Sequence, residues 1–152
     1  MKYIIGACVL EFTPQVYQEM QAYRQTRPED HEAGGVLLGR VYPSRTVVQR
    51  VSVPGEGDKA GRFFFDRSVR RAQAIVNEAW NESNGELVYL GEWHTHPEGF
   101  PRPSGTDLAL IHNMLRDSRM EIDRLYLTIV GLDAWYVSCQ SRVRLQQMHP
   151  DV

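Results

Sequence analysis

The chain has 152 residues, 42% hydrophobic and 24% charged, with a formal net charge of −2. That length suits a single domain spanning 1–152, large enough to bury roughly two thirds of its unfolded surface without staples. The slightly acidic balance argues against a protein that holds nucleic acid by neutralising phosphates. No apolar run approaches the roughly 18 residues of a membrane span, so neither nucleic acid nor membrane is expected as a partner.

In chain order, Tyr3–Phe12 reads as an apolar strand. Its run is broken by Glu11 and has no small-residue cleavage site, which makes a poor signal peptide and points to a cytoplasmic protein. Thr13-Pro14 reads as an N-cap followed by proline at the first helical position. The helix would bury Val16, Met20 and Tyr23 at i, i+4 and i+7 and stop before Pro28. After a polar connector, residues 33–42 and 45–53 read as two strands joined by a Pro-Ser-Arg turn, a hairpin. Residues 54–62 carry three glycines and a proline and read as a flexible loop. Residues 65–83 form a long helix with Val69, Ala72, Ile75, Val76 and Ala79 on one face, and Arg67, Arg70 and Arg71 on a solvated one. A strand over 86–97 ends at Pro97, a helix follows over 104–117, and 124–140 is two strands around a tight turn at 131–133. The last ten residues are polar and are expected to fray. The expected architecture is α/β, a mixed and mainly antiparallel sheet flanked by three helices. Cys8 and Cys139 lie in apolar strands and are expected to be buried thiols rather than a disulfide.

The stretch GEWHTHPEGFPRPSGTD, residues 91–107, carries the chemistry. On a strand, side chains at i and i+2 share a face, so His94 and His96 project together while Trp93 and Thr95 point away. Two imidazoles on one face offer two nitrogen ligands to Zn²⁺, and Asp107, one turn into the next helix, offers an oxygen. Two histidines and a carboxylate leave a fourth position for water, the pattern of a catalytic rather than a structural zinc site. Ser104-x-x-Asp107 also reads as a capping box, which accounts for the serine and aspartate without a metal but leaves the paired histidines unexplained. Hydrolysis needs a base as well. Glu32 is the leading candidate, because Gly34 and Gly35 just after it let another backbone come close; Glu29 and Asp30 are rivals.

Together, Glu-x-Gly-Gly-x-Leu-x-Gly over Glu32–Gly39, His-x-His-Pro from His94 and Ser-x-x-Asp ending at Asp107 resemble the JAMM motif of the JAB/MPN zinc metalloproteases. The resemblance spans nearly the whole chain and implies a single JAB domain with a cytidine-deaminase-like fold. It implies one Zn²⁺ per chain on His94, His96 and Asp107, with a bound water. Glu32 would be the general base and Ser104 would stabilise the oxyanion. The sequence around the motif is similar to the small bacterial JAB isopeptidases of anti-phage (CBASS) operons. That implies cleavage of a ubiquitin-like conjugate, between the C-terminal tail of a cGAS-like nucleotidyltransferase and its targets, made by a functionally linked E1–E2 fusion protein. Alternatives are processing of the C-terminal tail of a sulfur-carrier or other ubiquitin-like protein, or a non-catalytic JAB scaffold or DNA-repair-associated role. The eukaryotic branch often has an aromatic residue two positions before the first histidine. Here Glu92 stands there, expected to orient His94 from behind or to lie in solvent rather than to compete as a ligand. Residues 54–62 and 98–103 are the candidate guides for an extended substrate tail.

Overall fold

A computed structural model describes residues 1–117 and 123–152. The elements in chain order are β1 (Lys2–Ile5), β2 (Cys8–Phe12), α1 (Pro14–Gln21), β3 (Gly34–Val41), β4 (Thr46–Val51), β5 (Lys59–Gly61), β6 (Phe64–Asp66), α2 (Val69–Glu82), β7 (Val88–Thr95), α3 (Gly105–Asp117), β8 (Arg124–Val130), β9 (Trp135–Ser141) and β10 (Leu145–Pro150). The expected flanked sheet is in fact a closed barrel, ordered β1-β10-β9-β8-β7-β3-β4-β2. Its neighbours are antiparallel except for β2 with β4 and β7 with β8.

Two differences from the sequence reading close that barrel. Tyr3–Phe12 is a hairpin rather than one strand, turned at Gly6-Ala7 with Ile5 opposite Cys8. The C-terminal residues do not fray, because β10 pairs with both β9 and β1. Its sequence LQQMHP looks polar because a strand at the seam shows one face to solvent, and Met148 alone, 2% exposed, enters the core. Residues 54–62 are likewise not all loop: β5 pairs with β6 as a small separate hairpin.

The barrel interior is filled by Leu10, Phe12, Leu37, Leu90, Trp93 and Val137, with Val16 and Met20 of α1 packed on the same cluster. Thr13 caps α1 as expected, its Oγ1 accepting from Val16 N at 3.2 Å. The helix ends at Gln21, however, and Tyr23 reaches the core from beyond it, edge-on to Trp93. Outside the barrel, Ala72 and Ala79 of α2 pack on Val36, Leu38 and Leu87, while Val69 stays exposed. Ile111 and Leu115 of α3 pack on Leu125, Leu127 and Ile129. Helices α2 and α3 thus cover neighbouring parts of the outer surface, with β7 between them.

Strand β7 changes phase on its way to the histidines. Leu37 pairs with Gly91 and Leu38 with Tyr89, so Leu90 is an extra, bulged residue. Leu90 and Trp93, three positions apart, therefore both face the interior, and Tyr89, Glu92 and His94 all face the outer cavity. Gly91 makes the bulge possible: its φ is +144°, and a Cβ there would lie 1.8 Å from Tyr126 O.

Candidate active site

Glu32 enters on the segment that leads into β3. Its N–H donates to Gly61 O at 2.7 Å, and the next residue, Ala33, donates to Thr95 Oγ1 at 3.0 Å. Thr95 in turn donates to Gln25 Oε1 at 2.8 Å, and Gln25 Nε2 donates to Arg62 O at 2.9 Å. Gln25 and Thr95 are both buried, so this chain of bonds pins the Glu32 segment from beneath. The paired glycines then permit close approach. A Cβ on Gly34 would sit 2.5 Å from Trp93 O and 2.9 Å from His94 Cβ, and one on Gly35 would sit 2.3 Å from Ser52 O. Because Gly34 faces His94 across the ladder, Glu32 arrives beside the histidines.

The structure brings these side chains together. Ligand atoms of Glu32, His94 and His96, all buried, lie within 4.8 Å of one another. Asp107 Oδ1 is 3.0 Å from His94 Nε2, and Asp107 Oδ2 is 3.4 Å from His96 Nε2. The capping box coexists with this cluster. Ser104 Oγ accepts from Asp107 N at 3.1 Å, and Ser104 N donates to Asp107 Oδ2 at 2.7 Å, which fixes the carboxylate toward the imidazoles. Glu98 Oε1 lies 3.1 Å from His96 Nδ1. The rivals Glu29 and Asp30 do not enter the cluster; both pair with Arg27 at the surface.

The electrostatics follow from burial. Desolvation pushes the Glu32 carboxyl up to about 7, with Asp107 and Glu98 adding to the effect and His96 opposing it. Burial also disfavours charge on Asp107, but the facing imidazoles of His94 and His96 hold it well below the ordinary carboxylate range. Burial works against a charged His96, and the Asp107 contact together with the Glu32 and Glu98 charges raises its pKa nonetheless.

The family model for prokaryotic homologs of the JAB domain matches residues 13–148. The chain belongs to this family. A curated relative called CD-NTase/cGAS isopeptidase, from Pseudomonas aeruginosa, is 36% identical over 129 residues, which cover 85% of this chain and 81% of the relative. A protein of the same name from Vibrio cholerae is 38% identical over 128 residues, covering 84% and 80%. The solution structure of a protein from Desulfitobacterium hafniense matches 91% of this chain and 88% of its own with a TM-score of 0.63 at 24% identity, a likeness of fold.

The residues of this JAB domain suit a bound cation. Among the described residues His94 Nε2 is buried without a hydrogen-bond partner, with Asp107 Oδ1 3.0 Å away. A lone pair on that nitrogen, two carboxylates and a second imidazole form a donor set of nitrogen and oxygen of the kind zinc takes. Glu92 is neither in solvent nor part of this set. It is 2% exposed, and its two oxygens are taken by Arg67 Nε and the Tyr89 hydroxyl. Arg67 is consequently not on a solvated face, and neither is Arg71, which donates to Asp58 Oδ2 at 3.2 Å and Val53 O at 2.9 Å; of the three arginines only Arg70 is exposed. The loop after the histidines is braced as well, since Leu132 N donates to Glu98 O at 2.7 Å and Asp133 N to Gly99 O at 3.0 Å. Sequence reasoning missed the Gln25–Thr95 support and the Glu92 partners. Thr95, between two candidate ligands, was a local signal; nothing local marks Gln25 or Arg67.

Proposed function

We propose that this protein is a zinc-dependent isopeptidase that cleaves a ubiquitin-like conjugation in anti-phage defence, between the C-terminal tail of a cGAS-like nucleotidyltransferase and its target. The observation that carries the reading is the gathering of Glu32, His94 and His96 within 4.8 Å, with Asp107 3.0 Å from His94, in a chain that resembles named isopeptidases over most of its length. The same gathering weighs against a non-catalytic scaffold. His94, His96 and Asp107 would hold the metal, and a bound zinc would supply the Lewis acidity that polarises a carbonyl and makes water a nucleophile at neutral pH. Glu32 accepts the proton of the attacking water on its carboxylate and delivers it to the leaving lysine amine. A carboxyl that burial lifts to about 7 is suited to both halves of that transfer. The Ser104 Oγ accepts from Asp107 N and donates to no group among the described residues, so its hydrogen can turn to the developing oxyanion. The conjugate itself is made by an E1–E2 fusion protein.

The test uses a purified nucleotidyltransferase–target conjugate, with and without chelator. Glu32→Gln is expected to keep its zinc and lose cleavage by about 10²–10⁴-fold. A Glu32→Gln protein that cleaves at the wild-type rate, or wild-type cleavage untouched by chelator and zinc loss, overturns the proposal.

A further inference from the structure

A second reactive cluster lies away from the JAB site. Cys8 begins β2 and Cys139 lies in β9, and their sulfurs are 4.0 Å apart across the barrel. Both are free thiols, Cys8 half-buried and Cys139 buried. The two differ in access. Cys8 lines a cavity of about 440 Å³ together with Tyr42, Arg45, Thr46, Arg124 and Tyr126; Cys139 does not line it. This cavity shares no lining residue with the one that holds His94 and Asp107. The Tyr126 hydroxyl is 3.6 Å from Cys8 Sγ. The Cys139 thiol, the Tyr126 hydroxyl and the Arg124 guanidinium all favour the Cys8 thiolate against its burial, lowering Cys8, while the same contact raises Cys139. One sulfur is thus open and nucleophilic, and the other stands enclosed behind it.

From this arrangement we infer that Cys8 and Cys139 are a thiol pair that reacts with a low-molecular-weight disulfide, Cys8 attacking and Cys139 resolving. In the first step the Cys8 thiolate attacks one sulfur of the small disulfide. Its S–S bond breaks, a mixed disulfide forms on Cys8, and one small thiolate leaves and is protonated. In the second step Cys139, giving up its proton, attacks Cys8 Sγ and expels the second small thiol. The chain gives up two electrons and ends with a Cys8–Cys139 disulfide, and the small disulfide ends as two thiols. The sulfurs must close from 4.0 Å to about 2.05 Å. The product joins the N-terminal hairpin to β9, locking the seam where β1 meets β10.

The experiment treats the reduced, zinc-loaded full chain with oxidised glutathione under native conditions and reads intact mass and peptide maps. Wild type is expected to lose two hydrogens and yield a Cys8–Cys139 cross-linked peptide. Cys139→Ser is expected to accumulate one glutathione adduct on Cys8, while Cys8→Ser gains neither adduct nor cross-link. Thermal unfolding of each variant verifies that it is folded when treated. Wild type that stays fully reduced, a stable wild-type adduct that never resolves, or an adduct on Cys139 in folded Cys8→Ser overturns the inference. The readout is mass rather than cleavage, so it stands or fails independently of the proposed isopeptidase activity.

Discussion

Glu92 and Glu32 both line the cavity between α2 and α3, both are nearly excluded from water, and they are held in opposite ways. Glu92 has Arg67 and Tyr89 on its two oxygens; burial pushes its pKa up against the pull of those partners. The Glu32 side chain has no hydrogen-bonding partner among the described residues, and its neighbours are His94 Nε2, also without one, and a second carboxylate. One cluster is internally neutralised, whereas the other collects electron pairs and is short of positive charge. A buried charge is tolerated when paired or metal-bound, so the difference marks which of two adjacent acidic clusters could hold a cation.

Breaking the neutralised cluster gives the largest effect. Arg67→Ala leaves Glu92 buried with the Tyr89 hydroxyl but no compensating charge, and is expected to cost about 3–5 kcal/mol in urea unfolding. Replacing both members, Arg67→Met with Glu92→Leu, is expected to recover most of that loss and to leave zinc stoichiometry unchanged. If the double variant unfolds as readily as the single, or loses its zinc, the ion pair is not the self-contained unit described.

The unneutralised cluster should show the reverse behaviour. The folded pKa of Glu32, about 7, lies above its ordinary value of 4.5, so folding favours the protonated form. Its contribution is fully present below pH 4.5 and is lost as pH rises through about 7. For chelator-treated protein, Glu32→Gln is therefore expected to stabilise by up to about 3 kcal/mol at pH 8 and by nothing near pH 4. Zinc loading should abolish the difference, since the cation supplies what the carboxylate lacks. Melting curves of both proteins across that range check this, and a gap independent of pH or of zinc would refute it.

These two clusters also differ in how far the sequence disclosed them. The histidine spacing, the acid after Ser104 and the glycines after Glu32 are local patterns, and each maps onto a contact: a shared strand face, a capping box, a close backbone approach. Glu92 pairs with Arg67, 25 positions upstream, and Glu32 is supported by Gln25 through Thr95, 70 positions on. Pairings between single polar residues at such separations leave no periodic trace. The closed barrel was hidden for a related reason. Its seam depends on β10, whose inward face is a single methionine, and on the turn at Gly6 inside what looks like one continuous apolar run. Gly91 was legible in principle: an isolated glycine inside a strand signals a bulge, and the bulge is what brings Tyr89 onto the face that Glu92 already shares with the histidines.

At the edge of the unneutralised cluster stands Glu98, which sharpens the contrast at the smallest scale. Its side chain is 52% exposed, so it contributes little as a buried charge, but its oxygen sits 3.1 Å from His96 Nδ1. A carboxylate there favours the tautomer with the proton on Nδ1 and turns the Nε2 lone pair toward Asp107 and the site. Glu98→Gln keeps an acceptor but drops the charge, and is expected to weaken zinc affinity about tenfold; Glu98→Ala, which removes both, is expected to approach a hundredfold. Competition against a chromophoric chelator measures this directly. The order of the two variants is the informative part. Equal losses would mean that charge alone matters, and no loss in either would mean that Asp107 and the fold already orient His96 without help from the braced loop.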